Sequence, residues 1–167
     1  MATPSKSKGF PMPQPMSRAD IASRLDITDP FLMIDTFETL EPGRRARATK
    51  ELHSNAWFFA CHLPALQVMP ATLQLEGMLQ TLVLLIYAAG DHGAHRAYVT
   101  NVKSQLSATA TPGQTITFDA ELSAFRRGIA TGTVTTTANG VHLSRGEFRY
   151  ASPHLMAAPV PPPSRTS

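Results

Sequence analysis

The chain lacks most of the features that would fix its class at a glance. Of its 167 residues one is cysteine, Cys61, so neither an intramolecular disulfide framework nor a cysteine-rich zinc site can be built, and a reducing compartment fits. Charged residues make up only 16%, against 43% hydrophobic. That balance suits a domain with much buried surface, a subunit interface included. Apart from Arg44, Arg45 and Arg47 and the pair Arg126 and Arg127, the basic residues are scattered, and no interleaving of basic and aromatic residues of the RNA-binding kind occurs. A net charge of +3 and a pI near 9.4 therefore do not select nucleic acid as a partner. The longest unbroken apolar run, Leu82 to Ala89, is far short of the roughly 20 residues of a membrane-crossing helix. Lys6 and Lys8 are followed by prolines where a signal peptide would be apolar. A cytoplasmic protein without a membrane span is expected, and no internal repeat is visible.

What is present reads as one domain of a size that buries a core without staples. Residues 1–16, with four prolines, are expected to be a disordered tail, 17–152 a single domain, and 153–167 a Pro-rich tail. Ser17 is a cap candidate for a short helix to Leu25, with Ile21 and Leu25 at helical spacing. Phe31 to Thr39 and Arg45 to Leu52 read as two extended stretches joined by Glu41-Pro42-Gly43. The run from Met69-Pro70 to Ala89 is apolar on almost every side, with Pro70 suited to a first helical position. A helix of that kind must be buried all round. Ala97–Val102, Thr115–Phe125, Ile129–Thr137 and Val141–Tyr150 then read as four strands divided by Pro112-Gly113, Arg127-Gly128 and Asn139-Gly140. The order predicts an α+β fold, an antiparallel sheet whose last strands form a meander, wrapped around one long helix. An open sandwich with the helix on one face fits the same periodicity.

Four polar side chains interrupt the buried helix and its approach: His62, Gln74, Glu76 and Gln80. A carboxyl in an apolar site keeps its proton to higher pH because desolvation penalises the charge, which is what a general acid needs. An imidazole on the loop before the helix is the side chain most easily poised as a base. Each residue alone has an ordinary structural reading, His62 as a loop residue and Glu76 as a favourable charge near a helix start.

The stretch Asn-Ala-Trp-Phe-Phe-Ala-Cys-His-Leu-Pro-Ala-Leu-Gln-Val-Met-Pro-Ala-Thr-Leu-Gln-Leu-Glu-Gly-Met-Leu-Gln from Asn55 decides between them. It resembles the active-site stretch of the β-hydroxyacyl-[acyl carrier protein] dehydratases (FabZ-like) of type II fatty acid synthesis, where a His-Phe-Pro-Gly loop leads through Val-Met-Pro-Gly to Leu-Glu-Ala-Met-Ala-Gln. Asp29 to Asp35 is similar to the family's Pro-Phe-Leu-Leu-Val-Asp opening, so the resemblance spans roughly residues 29 to 150. It implies a hot-dog fold, a homodimer often assembled into a trimer of dimers, and an acyl tunnel at the dimer interface. His62 of one subunit would face Glu76 of the other as the catalytic pair, His62 taking the C2 proton and Glu76 donating to the departing C3 hydroxyl. The amide of Ala71 would steady the thioester carbonyl, with Pro70, Phe59 and Gln80 also at the substrate site. Glu rather than Asp at position 76 resembles the dehydratase-only branch. No metal or organic cofactor is implied. The substrate partner would be an acidic acyl carrier protein, with Arg126, Arg127 and Lys103 as docking candidates, joined by Arg44.

Alanines at 65 and 71 stand where the family has glycines, and Gln67 stands where it has proline. A methyl at either alanine narrows the approach and would be strained at positive φ. These departures suit a member serving a particular fatty acid or polyketide pathway. The competing functions are a hot-dog acyl thioesterase, which retention of the His62 loop disfavours, and a non-catalytic acyl-binding or assembly subunit. Cys61 beside His62 is not read as a nucleophile, since neighbours on an extended chain point apart. His92 and His95, flanked by Gly90 and Gly93, read as exposed loop residues.

Overall fold

The computed structural model describes residues 14–90 and 96–156. Expectations for the rest of the two tails, and for His92 and His95, lie outside these residues. Helix α1 (Arg18–Leu25) starts at Ser17 with a reciprocal cap: the Ser17 side chain accepts from the Asp20 amide while the Asp20 carboxylate takes the Ser17 N–H. Ile21 and Leu25 turn inward and are buried. Met16 makes an antiparallel bridge to Phe37, so contact with the sheet begins one residue before the expected domain boundary.

Strands β1 (Thr36–Glu41) and β2 (Arg45–Glu51) form the expected hairpin, but β1 starts at Thr36 rather than Phe31. The reason is that Leu32, Met33 and Ile34 are all buried, which an alternating strand cannot achieve. Their backbone is satisfied by side chains instead of a ladder. The Arg18 guanidinium donates to the carbonyls of Leu32 and Ile34, and the Gln80 amide serves Phe31 and Met33. Asp35 then accepts from Lys50 Nζ at 3.1 Å and the Glu51 amide at 2.7 Å, and pairs with Arg18.

A five-residue helix, α2 (Trp57–Cys61), replaces the expected plain loop. Helix α3 (Ala71–Gly90) follows, and Pro70 is its cap residue rather than its first helical one, because its carbonyl accepts from Leu73 and Gln74. Every residue from Gln80 to Tyr87 is buried, whereas the first turns are only partly covered. Over Ala71–Ala89 the helix is long and apolar enough to cross a membrane by composition, with mean hydropathy 1.3, yet 61% of it is buried inside the protein.

Strands β3 (Tyr98–Leu106), β4 (Thr115–Arg126), β5 (Ile129–Ala138) and β6 (Val141–Ala151) complete one antiparallel sheet in the order β1-β2-β4-β5-β6-β3. The expected meander therefore holds only for β4, β5 and β6. Strand β3, longer than predicted, pairs with β6 at the far edge, Val102 opposite Phe148. The sheet lies against α3 on its inner rows: Ile116, Phe118 and Ala120 from β4, Ala130 and Val134 from β5, and Phe148 and Tyr150 from β6 are buried. Closest approach occurs at Gly77, where an added Cβ would overlap the Phe118 ring. Gly77→Ala is accordingly expected to lower stability by about 1–3 kcal/mol through overpacking, read as a smaller urea midpoint with an unchanged m-value.

Candidate functional site

Glu76, Leu79, Gln80, Val83 and Tyr87 fall on one face of α3 by helical repeat. They floor a groove of about 270 Å³, walled by Leu25 and Ile27 after α1, by the start of β3 and by Tyr150. Among the described residues that line this groove, Glu76 is the only carboxylic acid. Burial pushes its carboxyl above the ordinary range, and the hydrogen bond from Gln80 pulls partly back. The Tyr150 hydroxyl, donating to the Leu79 carbonyl at 2.9 Å, is also held well above its usual value by burial, with the nearby Glu76 charge adding to it.

Gln80 has no freedom of orientation. The Met33 amide can only donate and binds Gln80 Oε1 at 2.8 Å; the Phe31 carbonyl can only accept and takes Nε2 at 2.9 Å. The amide must then offer its remaining N–H to Glu76 Oε1, also at 2.9 Å. Glu76 Oε1 is thereby fixed as an acceptor. A proton on the neutral acid resides on Oε2, the oxygen left for a ligand.

His62 ends α2 as its C-cap, with its amide donating to the Phe58 carbonyl at 2.8 Å. The ring nitrogen Nδ1 lies 3.2 Å from the Val68 carbonyl, which can only accept, so Nδ1 carries the hydrogen and Nε2 of the neutral ring has its lone pair free. The loop between them is held by bonds from the Leu66 and Gln67 amides to the Leu63 carbonyl. Met69 pins its end by donating to Ala110 at 2.8 Å. Ala65 and Ala71 do not have positive φ; Leu63 at +45° and Gln67 at +48° do. The methyls at the glycine positions thus impose no backbone strain. Ala71 and Thr72 precede the first intrahelical bond, leaving their amides without an intrahelical acceptor at the positive end of the α3 dipole.

Within one chain His62 does not line the groove into which Glu76 opens. Phe59 is 2% exposed and packs edge-on against Phe58 at 4.6 Å, in the core rather than along the groove, because α2 turns its apolar side inward. Arg126 and Arg127 are exposed at the β4–β5 hairpin, with Arg127 at φ +51°. Lys103 is not with them: it is exposed within β3, in register with Glu147. Arg44 is engaged by Glu41 and Glu121. Cys61 is exposed at a helix end, not on an extended segment, and its thiol lies 3.5 Å from the Trp57 carbonyl. Tyr87 and Tyr150 were not singled out from sequence, although Tyr87 lies on the helical repeat of Glu76. Gln74 faces the sheet rather than the groove, within 3.3 Å of Ser144 Oγ.

The model of the FabA-like domain family matches residues 27–147. The 3-hydroxyacyl-[acyl-carrier-protein] dehydratase FabZ of Staphylococcus carnosus is 34% identical over 123 residues, covering 73% of this chain and 85% of that protein. Its counterpart from Roseiflexus castenholzii is 32% identical over 123 residues, covering 73% and 86%. Among solved structures, the dehydratase heterocomplex ApeI:P from Xenorhabdus doucetiae aligns with TM-score 0.65 at 10% identity, over 80% of this chain and 90% of that one. A hypothetical thioesterase with coenzyme A from Streptococcus pneumoniae aligns with TM-score 0.55 at 11% identity, over 70% and 84%. At such identities these structures share the fold.

The carboxyl of Glu76 has a measurable signature independent of any substrate. Its folded value lies above the unfolded one, so its favourable contribution is complete below the ordinary carboxylate range and is lost as pH rises through the raised value. Glu76→Gln, which can still accept from Gln80, is expected to raise the urea midpoint relative to the parent chain at pH 8 and to leave it nearly unchanged at pH 4. Gln80→Leu should cost about 1–3 kcal/mol, because it strands the buried groups of Phe31 and Met33.

Proposed function

The chain belongs to the FabA-like family of hot-dog-fold proteins, and on that premise we propose that it is a 3-hydroxyacyl-[acyl carrier protein] dehydratase working through His62 and Glu76. The observation that carries the residue assignment is a carboxyl pushed above its ordinary range by burial in the lining of an apolar groove, with Oε1 taken by Gln80 and Oε2 left for a ligand. The second member of the assignment is His62, whose Nδ1 meets the Val68 carbonyl and leaves Nε2 for a substrate. The thioester carbonyl would rest at the start of α3 against the Ala71 amide, where developing negative charge is favoured. His62 Nε2 takes the C2 proton, the C2 electron pair forms the C2–C3 double bond, and the C3–O bond breaks. Glu76 Oε2 supplies its proton to the leaving hydroxyl, so water departs and a trans-2-enoyl thioester remains. The imidazolium and carboxylate left behind return to the starting state by proton transfer. The thioesterase reading is not favoured, since it gives the His62 lone pair no role.

A second copy of the chain brings the pair together on this reading. All of β3 is exposed, including Tyr98, Val99, Val102 and Leu106, although Val99, Val102 and Leu106 share register with the buried inner residues Tyr150, Phe148 and Ser144. An edge strand with an uncovered apolar inner row is a pairing surface. A partner there would cover the groove and present its His62 to Glu76. The carrier protein, being acidic, would be met at the exposed arginines of the β4–β5 hairpin, in the cytoplasm where such acyl chains are made.

Incubation with (3R)-hydroxyacyl and trans-2-enoyl carrier-protein thioesters, followed by mass spectrometry, is expected to show loss and gain of water in the parent chain. His62→Ala and Glu76→Gln should each lower the rate by about 10²–10⁴-fold without changing the oligomer. Val102→Lys should yield a monomer by light scattering and lose turnover with it. Release of free acid, or turnover undiminished in either site variant, would sink the assignment.

A further inference from the structure

Of the polar side chains that interrupt the helix and its approach, Gln74 alone has no part in the chemistry above. It is also the first residue of α3 to be buried. Ala71, Thr72 and Leu73 are not, and the apolar packing of the helix on the sheet begins only at Gly77 and Met78. The Ala108 carbonyl, 3.4 Å from Gln74 Nε2, can only accept, so Oε1 is the atom turned to the Ser144 hydroxyl at 3.3 Å. Ser144 therefore directs its hydrogen to Gln74, and Thr136, whose hydroxyl meets that of Ser144, is the donor in that pair. All three side chains are fully buried. They form one directed chain, from Thr136 on β5 through Ser144 on β6 and Gln74 to the Ala108 carbonyl beyond β3.

Stability alone does not account for such a chain. Apolar side chains of the same shape would bring no polar atoms into the core and would pack there as well or better. What the hydrogen bonds add is direction, since apolar contacts leave a helix free to slide or turn on a sheet. The segment they reach is itself anchored. The Ser107 and Ala108 amides donate to the Leu143 carbonyl at 2.8 and 3.0 Å, and the Ala110 carbonyl accepts from the Met69 amide at 2.8 Å. Met69 and Gln74 thus fasten both ends of the turn that carries the free Ala71 and Thr72 amides, and the Gln74 amide closes that turn on the Pro70 carbonyl. We infer that Gln74 is a positioning residue, held by Ser144 and Ala108 so that the Ala71 amide meets the thioester carbonyl; the inference rests on the dehydratase reading of the site.

Variants of the full chain separate position from stability. Gln74→Met leaves the Ser144 hydroxyl without its acceptor, whereas the triple variant Gln74→Met, Ser144→Ala, Thr136→Val removes the whole side-chain network. The single variant is expected to lower the urea midpoint and the triple variant to recover most of that loss. With (3R)-hydroxyacyl carrier-protein thioesters, kcat should nevertheless fall about 10- to 100-fold in both, with KM changed by less than about threefold. Ser144→Ala, which keeps the bond to Ala108, should fall between them and the parent. A second readout needs no turnover: the ¹³C carbonyl resonance of a saturated [1-¹³C]acyl-pantetheine thioester, which cannot lose water. Bound to the parent it should move downfield through the bond to the Ala71 amide, and in both Gln74 variants it should return toward its free position. A kcat that recovers with the urea midpoint in the triple variant, or a bound resonance that is the same in parent and variants, would overturn the positioning role. If no thioester is dehydrated but the resonance still shifts in the parent and returns in the variants, the positioning stands and the dehydratase reading falls.

Discussion

Everything in this molecule follows from the need to bury a 20-residue apolar helix, α3, with one sheet and little else. A helix apolar on nearly all sides is unstable in water, and the described residues hold no second long helix to pack on it. A curved antiparallel sheet supplies the apolar cover, and the small residues at the contacts set how closely it can approach. Gly77 against Phe118 and Gly132 against Leu82 are such places. The segment before β1 gives up its own ladder to complete the cover, burying Leu32, Met33 and Ile34 against the helix region. That concession is possible only because Arg18 and Gln80 satisfy its backbone.

The same concession fixes the orientation of Gln80 and, through it, of Glu76. Gln80 is locked by two backbone groups of opposite hydrogen-bonding character, and it hands that definition to Glu76. The site's acid is therefore positioned by a segment distant in sequence, and its proton is assigned to one oxygen by backbone geometry rather than by a neighbouring charge. His62 is treated similarly, its tautomer set by the Val68 carbonyl. Among the described residues neither group is paired with a charged side chain. Each group is thus oriented by uncharged hydrogen-bonding partners, Glu76 by the Gln80 amide and His62 by a backbone carbonyl.

Much of this was legible in the sequence, and the rest was not for identifiable reasons. The cap at Ser17, the hairpins at Gly43 and at Asn139-Gly140, and the central helix all announce themselves through local chemistry. Phe31 to Asp35 reads as strand because its residues favour extended backbone; what overrides that preference is a tertiary contact with Gln80 that no local pattern encodes. The position of β3 beyond β6 is likewise a matter of which edge remains open, not of the residues in the strand. His62, Glu76 and Gln80 stood out as polar residues in an apolar run. Tyr150 did not, because a tyrosine alternating inward on a strand looks like any core aromatic until the groove beside it is seen. Phe59 was drawn to the substrate site by its neighbourhood in the motif, but the turn of α2 directs it to the core.

The alanines at positions 65 and 71 raise the question of whether the site has been closed, and the backbone answers it. Positive φ in the His62 loop is carried by Leu63 and Gln67, neither of which is an alanine at a glycine position. At Gln67, φ of +48° is a value that a proline ring, fixed near −65°, cannot adopt. The absence of the family's proline and the presence of this turn are therefore one change: glutamine permits the backbone that closes onto the Leu63 carbonyl. The Val68 carbonyl at the end of this loop meets the His62 ring, and the amide of Ala71 precedes the first intrahelical bond of α3. The departures from the family pattern at Ala65 and Ala71 therefore leave the backbone of the loop unstrained, and its positive-φ positions are Leu63 and Gln67.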